Sequence, residues 1–124
     1  MNEPTGAEPR FEGISPVLPV SDVPSALAFY CEALGFKPGW TWGDPPTHVS
    51  VCRGRIDMML MLNPPKAGNG DVYVGLNGVD AYFAELQSRK VVLGDLADRP
   101  YGMRDFSVRD PSGNRLVFGE SIIK

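Results

Sequence analysis

Residues 101–120, "YGMRDFSVRDPSGNRLVFGE", form the stretch that decides the fold. Two runs with alternating apolar residues flank "DPSGN", and Asp, Pro, Gly and Asn are residues that tight turns favour. The stretch therefore predicts a β-hairpin in which Asp110, Pro111, Gly113 and Asn114 have structural roles. Charged residues lie among its aromatic ones, so the hairpin either holds a catalytic centre or forms one wall of a binding pocket.

The same order of strand, turn and strand occurs in the first half of the chain, at residues 48–60, "HVSVCRGRIDMML". Each hairpin follows a segment with helical spacing of apolar residues, at about 22–34 and about 79–89. Two β-α-β-β-β modules, at about 12–63 and about 71–120, are therefore predicted. The expected fold is α+β, with a curved mixed sheet around a cleft and the helices on the outside.

Signals at the ends of these segments support the boundaries. Asp22 is a candidate N-cap for the first helix, and Gly35 is a candidate stop. The two prolines of "SPVLPV" remove hydrogen-bond donors, so the first strand is expected at a sheet edge. Residues 1–11 are polar and contain two prolines, which predicts a flexible arm before a single domain at 12–124.

The composition excludes some classes of function. The 124 residues have a formal net charge of -3, and Lys and Arg are scattered, so no nucleic-acid partner is expected. The first residues lack the features of a signal peptide, and no apolar run approaches the length of a membrane span, so we expect a cytoplasmic protein without a membrane partner. Cys31 and Cys52 have no metal-binding spacing and are predicted to be buried, reduced thiols.

Two segments resemble a known family. "SPVLPVSDVPSALAFYCEALGF" looks like the opening strand and helix of the vicinal oxygen chelate superfamily, and "YGMRDFSVRDPSGNRLVF" looks like its closing hairpin. That superfamily contains glyoxalase I, extradiol dioxygenases and bleomycin-resistance proteins. The resemblance covers about residues 13–120 and implies the fold. Because one fold serves many functions, it does not by itself imply an activity.

The resemblance also indicates where a metal would be held. In the superfamily's enzymes, side chains from the first, fourth, fifth and eighth strands hold a divalent ion, and these positions correspond here to Ser15, Met61, Tyr73 and Val117. A hydroxyl, a thioether, a phenol and an isopropyl group are not the carboxylate and imidazole ligands that such ions prefer. No metal and no cofactor are therefore expected.

Alternation along the strands predicts which side chains line the cleft. In "DVYVGLN" and "NRLVFGE", Tyr73 and Val117 face away from the core residues, and in "IDMMLMLN" Met59 and Met61 do so. Flat rings and flexible thioethers suit planar apolar ligands. The predicted ligand-binding residues are Trp40, Trp42, His48, Met59, Met61, Tyr73, Tyr101, Met103 and Arg104.

Two members of this set are ambiguous. His48 is the only histidine, so it is expected to be structural or to make one hydrogen bond to a ligand, rather than to act as a catalyst. Arg104 would suit either the carboxylate of a ligand or a neighbouring Asp, because its guanidinium fork fits both.

Three functions remain open. The resemblance implies a bleomycin-resistance-like protein that sequesters a planar, largely apolar or aromatic compound in a metal-free cleft, as a homodimer with ligand clefts across the subunit interface. The alternative is a glyoxalase-family lyase or isomerase that works without the usual metal, although Asp57, His48 and Arg104 are its only titratable candidates. A module that serves only oligomerisation or regulation is the third. No catalytic residue is assigned, and the sequence does not identify the ligand.

Overall fold

In the computed structural model, which describes residues 8–123, the chain has the predicted α+β fold with two β-α-β-β-β modules. The first module contains β1 (Val17–Val20), α1 (Val23–Ala28), β2 (Lys37–Trp42), β3 (His48–Arg53) and β4 (Ile56–Leu62). The second contains β5 (Asp71–Gly75), α2 (Val79–Ser88), β6 (Ala97–Asp98), β7 (Met103–Arg109) and β8 (Arg115–Ser121). A π-helical turn, Phe29–Ala33, extends α1, and a 3-10 turn, Pro64–Lys66, lies in the linker.

Each module forms its own mixed sheet of four strands, in the orders β1-β4-β3-β2 and β5-β8-β7-β6. The pairs β1–β4 and β5–β8 are parallel, and the other pairs are antiparallel. The proline-containing β1 lies at a sheet edge, as predicted. The predicted helix ends are also confirmed, since Asp22 Oδ2 accepts the Ser25 N–H at 2.9 Å and Gly35 has a φ of 78°.

One hydrophobic core joins the two modules. Because side chains alternate along a strand, every second residue of the inner strands points towards the helices. Tyr30, which follows α1, and Tyr82 of α2 are both buried among these residues. The strand residues of this core include Val49, Val51, Met58, Leu60, Phe106, Val108, Leu116 and Phe118. The intervening residues of each strand point to the opposite face of the sheet, which we call its open face.

The turn of the hairpin at residues 101–120 connects the two modules. The Tyr30 hydroxyl donates to Asp110 Oδ2 at 2.9 Å, and Asp110 Oδ1 accepts two backbone N–H groups of its own turn. Asn114 Nδ2 donates to the Pro19 carbonyl of β1 at 2.7 Å. Gly113 has a φ of 99°, a conformation that glycine adopts without strain. The predicted structural roles of Asp110, Gly113 and Asn114 are thus confirmed.

Some details differ from the sequence predictions. Residues 91–100, where the apolar residues of "VVLGDLADRP" predict a strand or an extended segment, contain only the two-residue strand β6. Before it, the Val91 N–H donates to the Leu86 carbonyl at 3.1 Å, and the Gly94 N–H donates to the Ser107 carbonyl of β7 at 2.9 Å. The two cysteines, Cys31 and Cys52, are free as predicted, but they are half-buried rather than buried.

The predicted N-terminal arm is only partly visible. Residues 1–7 of it lie outside the described residues, and residues 8–11 are exposed and have neither helix nor strand structure. Neither helix within residues 8–123 has the length and apolar character needed to cross a membrane.

Candidate functional site

The predicted ligand-binding residues lie mainly on the open faces of the two sheets, in two separate groups. On the first sheet, His48 pairs with Met61 in register, whereas the next pair, Val49 with Leu60, belongs to the core. We call the first group the tryptophan face; it consists of Trp40, Trp42, His48, Met59 and Met61. We call the second group the tyrosine face; it consists of Tyr73, Tyr101, Met103 and Asp105.

The tryptophan face presents exposed rings beside one imidazole. Trp42 pairs in register with His48, and their rings meet edge-on with centroids 5.5 Å apart. His48 Nδ1 lies 2.9 Å from Thr47 Oγ1, so the two share a hydrogen bond. A shallow pocket of about 440 Å³ is lined by Trp40, Thr41, Trp42 and His48. The arrangement can stack a flat ring and offers one polar group at its side.

Trp40 is fixed on this face by its backbone. Its N–H donates to Ser50 Oγ at 2.9 Å, and Ser50 is a buried polar residue of β3. A side chain at Gly39 would collide with the same hydroxyl, so β2 approaches β3 this closely only with glycine there. The pairing of β2 with β3 is also irregular between Pro38 and Thr41.

The tyrosine face is organised around a buried carboxylate. Asp105 of β7 is 3% exposed, and its Oδ2 accepts the hydroxyl protons of Tyr73 at 2.8 Å and Tyr101 at 2.7 Å. Its Oδ1 accepts Arg99 Nε–H at 2.8 Å. A buried charge is stable only when it is paired and hydrogen-bonded, and these three donors meet that need.

These contacts change the pKa values of the groups involved. Burial alone would raise the pKa of Asp105, but the hydrogen bonds from Tyr101, Arg99 and Tyr73 outweigh burial and hold it below its ordinary value. Desolvation and the hydrogen bond to Asp105 raise the pKa of Tyr73 to about 12. The hydrogen bond to Asp105 raises the pKa of Tyr101 as well. At neutral pH the network therefore contains one carboxylate, one guanidinium and two neutral phenols.

Gly119 makes room for this network. It pairs with Asp105 in register on β8, and a Cβ at this position would collide with the Tyr73 hydroxyl and lie 2.8 Å from Tyr73 Cζ. The phenol of Tyr73 therefore lies directly over the backbone of Gly119 on its way to the carboxylate.

The structure separates the last two predicted residues. Met103 lies two positions before Asp105 on β7 and is half-buried on the tyrosine face. Arg104 points to the other face of the sheet. There its Nε donates to Asp80 Oδ1 at 2.8 Å, and its Nη1 donates to Asp98 Oδ1 at 3.1 Å. The sequence allows Arg104 to pair with either a ligand carboxylate or a neighbouring Asp, and these contacts are with neighbouring Asp side chains.

Four positions correspond to the metal ligands in enzymes of the superfamily that the sequence resembles, and their side chains do not fit a metal ion here. The Tyr73 hydroxyl donates to Asp105, and its register partner Val117 has no donor atom. Met61 offers a thioether, and the Ser15 hydroxyl lies before β1, 3.5 Å from an Asp57 oxygen. Within residues 8–123, no cluster of three or more His, Cys, Asp or Glu side chains could hold an ion.

A larger cavity, of about 670 Å³, lies where the β3–β4 turn meets α2. Three of its polar side chains contact each other, since Arg53 donates to Glu85 at 2.8 Å and lies 5.0 Å above the Tyr82 ring. These contacts connect the first module to the second, and the cavity contains none of the predicted ligand-binding residues. The open faces therefore remain the candidate site.

The sequence of this chain matches a known protein family. The family described as the Glyoxalase/Bleomycin resistance protein/Dioxygenase superfamily matches residues 13–118. The chain belongs to this superfamily. The membership confirms the resemblance of the opening helix and the closing hairpin. As the name of the superfamily says, its members include enzymes and resistance proteins.

Several members of the superfamily are similar along nearly their whole length. A bleomycin resistance protein from Geobacillus stearothermophilus is 24% identical over 132 residues, which covers 86% of this chain and 95% of that protein. A bleomycin-binding protein from Streptomyces verticillus, solved with copper(II)-bleomycin, is 29% identical with a TM-score of 0.76, and the match covers 90% of this chain and 97% of that protein. An antibiotic-binding protein from a Streptomyces species is 26% identical with a TM-score of 0.77, and the match covers 92% of this chain and 99% of that protein.

Sequence reasoning missed two residues of the tyrosine face. In the sequence, Asp105 is one of several charged residues of the hairpin, and Arg99 lies outside every predicted site segment. Alternation does contain a signal for Asp105, because Phe106 and Val108 of the same strand are core residues. No local pattern indicates Arg99, which reaches Asp105 through the turn between β6 and β7.

Proposed function

We propose that this member of the superfamily sequesters a planar, largely apolar or aromatic antibiotic and does not convert it. The observation that carries the proposal is the exposure of four aromatic side chains on the open faces. Trp40, Trp42, Tyr73 and Tyr101 are 48%, 66%, 46% and 60% exposed. Concentrated exposed aromatic surface marks a binding site. The similarity to bleomycin-binding and antibiotic-binding proteins supports a ligand of this class.

The arrangement of the two faces favours a homodimer. Hydrogen bonds between the modules include those from Tyr30 to Asp110 and from Tyr82 to the Leu34 carbonyl, which lie on the core side. In the proposed dimer, the tryptophan face of one subunit lies opposite the tyrosine face of its partner, with the ligand between them. A flat ligand would then be covered on both sides, which buries more apolar surface than either face alone.

The alternative function is a lyase or isomerase of the same superfamily that works without a metal. Acid–base chemistry needs titratable groups that converge on one reacting atom. Here His48 lies on the tryptophan face, while the guanidinium of Arg104 is occupied by two Asp side chains on the core side of the other sheet. The separation of these groups favours binding without turnover.

A fluorescence titration with a panel of planar antibiotics tests the proposal. A bound compound should quench tryptophan emission, and Trp42→Ala should weaken binding by at least about 10-fold, because truncating a central aromatic anchor typically costs about 2 kcal/mol or more. Val92→Ala, at an exposed residue that belongs to neither face, is the control and should leave the affinity unchanged. Recovery of chemically altered compound would contradict the proposal in favour of an enzyme.

Sedimentation at micromolar concentration tests the dimer. A stable monomer would contradict the shared site, whereas a dimer that persists in Val92→Ala and weakens when Trp42 is replaced by Asp would support it. A charge placed in an apolar interface is costly to desolvate, which is the reason for that substitution.

A further inference from the structure

The tyrosine face has a fixed hydrogen-bond polarity. An ionised carboxylate can only accept hydrogen bonds, and Arg99 keeps Asp105 ionised through a 2.8 Å contact to its Oδ1. Both phenols must therefore donate their single proton inward, to the same oxygen, Oδ2. Each phenol oxygen is left with lone pairs only, so it can accept from a ligand but has no proton to donate to it.

Several other polar groups on this side of the second sheet have partners within the protein. Arg115 contacts Asp71 at 3.1 Å, and Arg109 donates to the Gly113 carbonyl at 3.0 Å. Arg99 Nη2 donates to the carbonyls of Asp95 and Asp105, and its Nη1 lies 3.8 Å from Asp95 Oδ2. Tyr73 and Tyr101 are exposed side chains of this face, and their oxygens are acceptors that it can offer to the polar edge of a ligand.

We propose that Asp105 is a positioning residue that orients Tyr73 and Tyr101 as paired acceptors, and that this face selects planar compounds whose edge carries N–H or O–H donors. The inference rests on the proposed binding function and specifies the class of ligand that the site takes. Gly119 contributes to this arrangement, because only a residue without a Cβ lets the Tyr73 hydroxyl reach the Asp105 carboxylate.

Two neutral compounds with the same ring system test the selection. One is naphthalene with amino groups on two adjacent carbons, and the other is naphthalene with methoxy groups on the same carbons. Each hydrogen bond between neutral groups changes affinity by about 2- to 12-fold, so the diamino compound should bind the wild-type protein at least about 5-fold more tightly. Equal affinities, measured by equilibrium dialysis, would overturn the selection while leaving the proposed function intact.

Asp105→Asn should reverse the preference. Arg99 Nε–H needs an acceptor at the position of Oδ1, so the amide oxygen occupies that place and its NH₂ replaces Oδ2. The NH₂ donates to the phenol oxygens of Tyr73 and Tyr101, whose protons then point outward. The dimethoxy compound should gain affinity and the diamino compound should lose it. An unmoved preference would overturn the proposal.

Control variants separate this effect from a loss of structure or of charge. Asp98→Asn removes one carboxylate from the strand beside β7, where Asp98 contacts Arg104 on the other face, and it should leave the preference unchanged. Tyr73→Phe and Tyr101→Phe should each reduce the preference by about 2- to 12-fold without reversing it, which keeps the proposal testable if Asp105→Asn fails to fold.

A spectroscopic measurement tests the orientation without any ligand. Each of the four tyrosines has a raised pKa, so the wild-type protein should form less phenolate at about pH 10, the ordinary tyrosine pKa, than Asp105→Asn does. In Asp105→Asn, loss of the hydrogen bond to a carboxylate should let Tyr73 and Tyr101 ionise at lower pH, whereas Asp98→Asn should follow the wild type. Identical near-ultraviolet titrations of all three proteins would show that Asp105 does not position the phenols. Failure of both naphthalenes to bind the wild type would count against the proposed function itself and overturn the selection with it.

Discussion

The hydroxyl of Tyr30 donates to Asp110 Oδ2 at 2.9 Å, across 80 positions of sequence and from one module to the other. Tyr30 is completely buried, and Asp110 is held in place by the backbone of its own turn. The contact makes the closing hairpin a part of the junction between the modules. It is one of the contacts that hold the two sheets on their shared core.

Tyr30→Phe should therefore destabilise the protein by about 1.5–3 kcal/mol, because a buried hydrogen bond to a carboxylate is lost while the ring still fills its place. Urea unfolding at neutral pH would measure the change. Tyr101→Phe is a matched control, since Tyr101 also donates to a carboxylate but is exposed to water that can replace it. Equal losses of unfolding free energy in both variants would show that burial does not make the Tyr30 hydrogen bond more stabilising.

Gly119→Ala should lower both stability and ligand affinity. The added methyl group would collide with the phenol of Tyr73 and lie 3.0 Å from Asp105 Cβ, and forcing extra volume into a packed site costs about 1–3 kcal/mol. Gly75 pairs with Gly119 in register and has nothing within 4 Å of a Cβ, so Gly75→Ala should have little effect. Thermal unfolding and dialysis of both variants would give the comparison.

Stability should depend on pH through Asp105. Its pKa is lower in the folded protein than in the unfolded chain, so the unfolded state takes up the proton first as the pH falls. The contribution of the carboxylate is thus complete above the ordinary Asp range near pH 4 and is lost as the pH falls through the lower folded value. The stability difference between wild type and Asp105→Asn should shrink below about pH 4. A difference that stays constant into that acidic range would argue against the ionised network.

His48→Gln should change ligand affinity much less than Trp42→Ala does. One hydrogen bond from a neutral group contributes about 0.5–1.5 kcal/mol, whereas the Trp42 ring supplies a large contact surface. His48 also has a partner within the protein, Thr47, at 2.9 Å. If His48→Gln abolished binding in the fluorescence titration while Trp42→Ala did not, polar chemistry would organise the site and the enzyme alternative would gain support.

Local patterns were sufficient to predict the helices and the two hairpins of this fold. The apolar spacing around Tyr30 and Tyr82 predicted the helices, and turn residues such as Gly113 predicted the closing hairpin, because helical period, strand alternation and turn conformation depend on neighbours in sequence. The same alternation correctly put Tyr73 and Met61 opposite the core. The two segments that resemble the superfamily then fixed the order of the modules.

The sequence by itself determined two β-α-β-β-β modules, their helix ends and the side of each strand that forms the core. Only the tertiary structure decided that the aromatic residues form two groups on separate sheets, that Arg104 pairs with Asp80, and that Arg99 and two phenols converge on Asp105. Alternation states on which side of a strand a residue lies, but partners from different strands and turns meet only when the sheet register and the packing of the modules are fixed. The polarity of the tyrosine face arises from those long-range contacts.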